Sequence, residues 1–159
     1  MVIGIAVASM QASAQPAPGA LPLPVRPSCV TSPFGPRKPP GPHAIGFHNG
    51  IDLRAPEGAP VYAVASGKVV QIRRLALFGL ELDLLHDDDA DHRYVSRYAH
   101  LGTIAPKLAA GQRTVARGEI LGRIGRSGIT YGTHLFFEVL VDGKPVDPEP
   151  LFAVLRCKH

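Results

Sequence analysis

The chain has 159 residues, 45% of them hydrophobic, and a formal net charge of +4, which is enough for one domain with a real core and too little for two comfortable ones. Only 19% of the residues are charged, and the 17 Gly and 16 Pro favour short strands joined by turns over long helices. A pI near 9.3 implies attraction to anionic partners, but the basic residues are scattered, with one pair at Arg73-Arg74 and no basic and aromatic stripe, which argues against nucleic acid.

At the N-terminus a short apolar run, Val2 to Ala8, is followed by Ala12-Ser13-Ala14. This small-x-small pattern reads as the end of a secretory signal over residues 1–14, although no Lys or Arg precedes the apolar run. The alternative is an apolar N-terminal tail. Nothing else approaches the roughly 20 apolar residues of a membrane span, so contact with a membrane is expected only through the export signal. Residues 15–27, "QPAPGALPLPVRP", read as a Pro-rich linker that can form neither a helix nor a central strand. The folded domain is therefore expected over 28–159. Cys29 and Cys157 stand at its two ends. In an exported, periplasmic or extracellular protein they would pair, whereas in a cytosolic one they would be two free thiols.

"TSPFGPRKPPGPHAIG" is dense in turn formers and reads as loop. "APVYAVASGKVVQIRRL" reads as two strands around a tight turn at Ser66-Gly67. "GLELDLLH" and "HRYVSRYAHL" follow as strands, with "DDDAD" as a solvated hairpin tip between them, since it lacks the spacing and central glycine of a calcium loop. "GQRTVARGEILGRIGRSG" gives short strands punctuated by glycine, and "HLFFEVLV" a long strand before an Asp142-Gly143 turn and a final extended piece. There is no βαβ alternation. The expected fold is a single, mainly β domain of antiparallel sheets, two-layered or a flattened barrel-sandwich, with few or no helices.

Histidines carry the chemistry. His48 and Asp52 in "FHNGIDL" would lie about 13 Å apart along a straight strand, but a bend at Asn49-Gly50 would let them converge on a metal ion. A capping or turn role is the alternative. His100 ends the strand in "YAHL". In "HLFFEVLV" alternation sends Leu135, Phe137, Val139 and Val141 to one face, and His134, Phe136, Glu138 and Leu140 to the other.

Taken together, "TSPFGPR", "FHNGIDL", "GAPVYAVASGKVV", "YAHL", "GEILGRIGRSG" and "GTHLFFEV" resemble, in order and spacing, the lysostaphin-like or LytM-type zinc endopeptidases that cut peptidoglycan cross-links. The resemblance runs from about Ser32 to Phe152. It implies that His48 and Asp52 are zinc ligands, that His100 and His134 sit beside the metal-bound water, and that position 136 should be a histidine, the third ligand.

Position 136 is phenylalanine, which has no lone pair to give. Sharing the apparent zinc affinity of four-ligand sites equally suggests a loss of about 3–4 kcal/mol, a few hundredfold in binding. Zinc is then expected to be weak or absent unless His43 or His86 substitutes. The expected function is an exported, peptidoglycan-directed domain with impaired or absent catalysis, binding wall stem peptides or regulating another cell-wall hydrolase. The alternative is an active zinc endopeptidase with a substitute third ligand. A third reading is a biotinyl- or lipoyl-like carrier. It rests on "GAPVYAVASGKVV" and "VARGEILGRIGRSG", but Lys68 is not in the required turn.

Overall fold

The computed structural model describes residues 16–87 and 93–158. The export segment 1–14 and most of the acidic tip lie outside these residues.

The fold is mostly antiparallel sheet with almost no helix. Its ten-stranded sheet includes, in the order β1-β4-β11-β8-β7-β6-β9, strands β1 (Val30–Ser32), β4 (Ile51–Arg54), β11 (His134–Val141), β8 (Arg93–Ile104), β7 (Gly79–Asp87), β6 (Gly67–Leu75) and β9 (Thr114–Val115). Strand β10 (Ile120–Ile124) pairs with both β8 and β5 (Pro60–Tyr62), and β12 (Lys144–Val146) pairs with β11. The order ends at β1 and β9, so the sheet does not close. Two short strands, β2 (Gly35–Pro36) and β3 (Phe47–His48), form a separate ladder. One turn of helix, α1 (Pro106–Ala109), begins at a proline, where the missing N–H costs nothing.

Period-two alternation places the core. Leu135, Phe137 and Val139 of β11 join Leu82 and Leu84 of β7 and Tyr98 of β8 in one buried cluster. The opposite face carries His134, Phe136 and Glu138. There Arg97 binds Asp83 through Nε and Nη2, each at 2.9 Å, and Glu138 at 2.8 Å. This ties β7, β8 and β11 together on the site side. Asp142 and Gly143 have φ of 49° and 74°, the left-handed pair of a two-residue hairpin turn between β11 and β12.

Two expectations need correction. The chain around Ser66-Gly67 is not a hairpin, because β5 pairs with β10 while β6 pairs with β7 and β9. Gly67 is needed for close approach instead of reversal, since a Cβ there would stand 2.7 Å from the Leu85 carbonyl oxygen. The folded part also begins before Ser28. Leu21 N–H donates to the Leu151 carbonyl at 3.0 Å, Tyr62 N–H donates to the Pro24 carbonyl at 2.8 Å, and Leu21 and Val25 belong to the core cluster. Prolines keep this segment out of a central strand, yet its interspersed Leu and Val still dock an extended strap.

Cys29 and Cys157 form a disulfide, beside the Val30 N–H to Leu155 carbonyl bond at 3.0 Å.

Candidate functional site: a histidine and aspartate pair capped by phenylalanine

The bend at Asn49-Gly50 carries the chain from β3 in the small ladder to β4 in the large sheet. It is tight: a Cβ on Gly50 would stand 2.3 Å from the Phe137 carbonyl oxygen. The turn brings His48 Nε2 to 3.2 Å from Asp52 Oδ1. His48 Nδ1 lies 2.9 Å from the Pro33 carbonyl and must therefore carry a proton and donate it. In the neutral ring this leaves a lone pair on Nε2 facing a carboxylate. Such a pair needs a positive centre between its members, either a proton on Nε2 or a metal ion.

His134 is on β11, opposite Arg54 of β4, and Phe136 is opposite Asp52. His134 Nε2 lies 3.4 Å from the same Asp52 Oδ1. Arg37 Nη1 reaches Asp52 Oδ2 at 3.5 Å and donates to the Ser32 hydroxyl. Burial alone would raise the Asp52 carboxyl, but the His48 hydrogen bond and the fields of His134, His48 and Arg37 outweigh it and hold the group below its usual value.

His100 arrives by a different device. Tyr98 pairs with Leu82 but Leu101 pairs with Leu80, so β8 carries one extra residue in this stretch, a bulge. His100 sits in it with φ of 61°, a left-handed conformation rare for residues other than glycine. Its Nδ1 donates to the Ser127 carbonyl at 2.9 Å, and its ring stands edge-on to His134 with centroids 5.0 Å apart. Burial lowers its pKa, the Ser127 hydrogen bond opposes this, and the net value is below that of an ordinary histidine. A neutral ring with its proton on Nδ1 presents Nε2 as an acceptor.

Phe136 lies at the centre of these groups and is 4% exposed. Its ring centroid is 5.2 Å from that of Phe78, 5.4 Å from His48 and 6.3 Å from His100. All of them line one pocket of about 560 Å³, whose rim includes Ile45, Phe47 and Tyr131.

The fit to zinc is partial. Tetrahedral zinc with bonds of about 2.0–2.1 Å separates its donors by roughly 3.3 Å. His48 and Asp52 meet that spacing, and the Pro33 carbonyl fixes the His48 tautomer as a metal ligand's outer partner does. Phe136, opposite Asp52 in the ladder, presents a phenyl ring with no donor atom. Among the described residues no group of three His, Cys, Asp or Glu is arranged to hold a metal ion. The residues present therefore do not fit a three-ligand zinc centre.

Of the expected substitutes, His43 lines the pocket on the loop after β2. His86 does not. It is buried on the core side, with Nδ1 2.8 Å from the Ser66 carbonyl and Nε2 2.7 Å from Ser96 Oγ. Sequence reasoning missed Arg37, Arg54, Phe78 and Tyr131 at the pocket. Arg37 stands inside "TSPFGPR" and carried a visible signal, whereas the other three become neighbours only through strand register and loop placement.

The model of peptidase family M23 matches residues 46–148. Peptidoglycan DD-endopeptidase ShyB of Vibrio cholerae is 41% identical over 119 residues, 74% of this chain and 26% of its own. DD-carboxypeptidase/endopeptidase Mpg of Neisseria meningitidis is 34% identical, again over 75% of this chain and 26% of its own length. The chain thus spans about a quarter of these curated relatives. Among solved structures, a zinc-containing peptidase from Vibrio cholerae has a TM-score of 0.67 at 34% identity, covering 89% of this chain and 41% of that one. The catalytic domain of lysostaphin from Staphylococcus simulans has a TM-score of 0.65 at 28% identity, covering 77% and 90%.

Proposed function

The chain belongs to peptidase family M23, and from this premise we propose that it is an exported, peptidoglycan-directed domain whose zinc catalysis is impaired or absent because Phe136 stands in the third ligand position. One observation carries the reading: Phe136 faces Asp52 in strand register and packs its ring against His48. Phenylalanine cannot coordinate, and the two donors that remain form half of a site. A resident zinc ion would activate water and polarise a carbonyl. Without it His100 and His134 are left as binding groups.

In that role Nε2 of His100 accepts a hydrogen bond from a peptide N–H, while His134, held against Asp52, borders the same pocket. The apolar floor of Phe136 and Phe78 shields these contacts from water, which strengthens them. Wall stem peptides are the ligand the family relationship supports, and the protein would act by holding them or by regulating another wall hydrolase. The Cys29–Cys157 disulfide supports export, since such bonds persist in oxidising compartments.

The test is the zinc content of the purified, dialysed protein, together with hydrolysis of a cross-linked stem peptide with and without chelator. We expect substoichiometric zinc, no chelator-sensitive hydrolysis and retained peptide binding. Stoichiometric zinc with hydrolysis that a chelator abolishes would overturn this reading in favour of a working endopeptidase. His43, in the pocket wall, is then the substitute ligand to examine.

A further inference from the structure

We propose that Arg54, assisted by Lys38, is a carboxylate-recognition subsite beside His134, so that the pocket selects peptides presenting a free carboxylate over their amidated counterparts. This rests on the wall-peptide reading above and adds to it the chemical feature that is recognised.

Strand register makes the first argument. Arg54 lies directly opposite His134 in the β4–β11 ladder, and directly opposed residues on one face have Cβ atoms about 5 Å apart. Arg54 is therefore anchored next to the histidine, on the sheet itself instead of on a loop. Its guanidinium is planar and suited to binding a carboxylate through two parallel hydrogen bonds.

Charge makes the second. The pocket is lined by three permanent cations, Arg37, Lys38 and Arg54, and by one carboxylate, Asp52. That carboxylate is already engaged by His48, His134 and Arg37. Among the described residues neither Arg54 nor Lys38 forms an ion pair, and both are exposed. The pocket thus holds two uncommitted cations and no uncommitted anion. An anionic ligand is what this imbalance favours.

The rim adds the rest of the description. Ile45, Phe47 and Tyr131 are 56%, 43% and 49% exposed and line the same mouth, so the occupant combines a carboxylate with small apolar side chains, as a short peptide does.

The experiment is calorimetric titration of the full chain with a synthetic stem pentapeptide, as the free acid and as the fully amidated form, at low and moderate salt. The free acid is expected to bind about tenfold or more tighter, the usual worth of a hydrogen bond to a charged group. Arg54→Gln should remove most of that preference, lowering the affinity for the acid far more than that for the amide, with the melting temperature unchanged, and Arg54→Lys should restore part of it. The preference should shrink as salt rises. Equal binding of acid and amide by the unmodified protein overturns the subsite and leaves the wall-peptide reading standing. Binding of neither peptide overturns both.

Discussion

His86 in the large sheet and His48 in the small β2–β3 ladder are both buried, yet they have opposite surroundings. His86 points to the core, where the Ser66 carbonyl and the Ser96 hydroxyl engage its two ring nitrogens, and Ser96 Oγ continues to the Tyr98 hydroxyl at 3.0 Å, which accepts the Val64 N–H at 3.1 Å. His48 and His100 each commit Nδ1 to a backbone carbonyl and line the pocket, His48 with its Nε2 3.2 Å from Asp52 Oδ1. The core network ties side chains to the framework, whereas the site histidines line an open pocket. A histidine with one nitrogen fixed by the backbone and the other facing a pocket is poised for a ligand, while one with both nitrogens engaged is part of the framework.

The largest expected effect would complete the open side of this contrast. Phe136→His should tighten zinc binding a few hundredfold, from restoring one ligand. Competition with a chromogenic chelator measures it, and no gain would mean that position 136 is not where the third ligand belongs.

Breaking the closed side should cost stability alone. His86→Ala leaves a cavity and strips partners from Ser66 and Ser96, for a loss of about 2–4 kcal/mol in urea unfolding. His134→Ala should change stability by less than about 1 kcal/mol but weaken stem-peptide binding. If the two variants behaved alike, the division between framework and site would fail.

A smaller effect sharpens the framework side through pH. Burial pushes Tyr98 up to about 12, with the hydrogen bonds of Ser96 and Val64 pulling the other way. An unfolded tyrosine loses its proton near pH 10, so between about pH 10 and 12 only the unfolded state is ionised, and stability falls as pH rises. The loss should total about 2–3 kcal/mol and be absent below pH 9. Ultraviolet titration should show Tyr98 ionising late. In Tyr98→Phe that late step and its share of the alkaline instability should both disappear.

Much of this was legible in the sequence because it depends on short-range rules. The alternation in "HLFFEVLV" put His134 and Phe136 on one face, and the Asn49-Gly50 turn brought His48 to Asp52. What stayed hidden depends on long-range pairing. No local signal says that β5 joins β10 instead of β6, or that one extra residue in β8 turns His100 towards the pocket through a positive φ. Arg54 looked like any surface arginine until the β4–β11 register set it against His134. The strap of residues 16–27 was hidden for another reason. Proline density reports what a segment cannot hydrogen-bond, and says little about the side chains between the prolines.

The disulfide has a consequence of layout. The Cα atoms of Cys29 and Cys157, 128 residues apart along the chain, are 5.0 Å apart in space, and the strap before them bonds through Leu21 N–H to the Leu151 carbonyl, so the domain enters beside the segment by which it leaves. A unit of this kind can be set within a larger polypeptide like a bead on a single knot, without stretching its host. The same fold can thus be carried by relatives roughly three times longer.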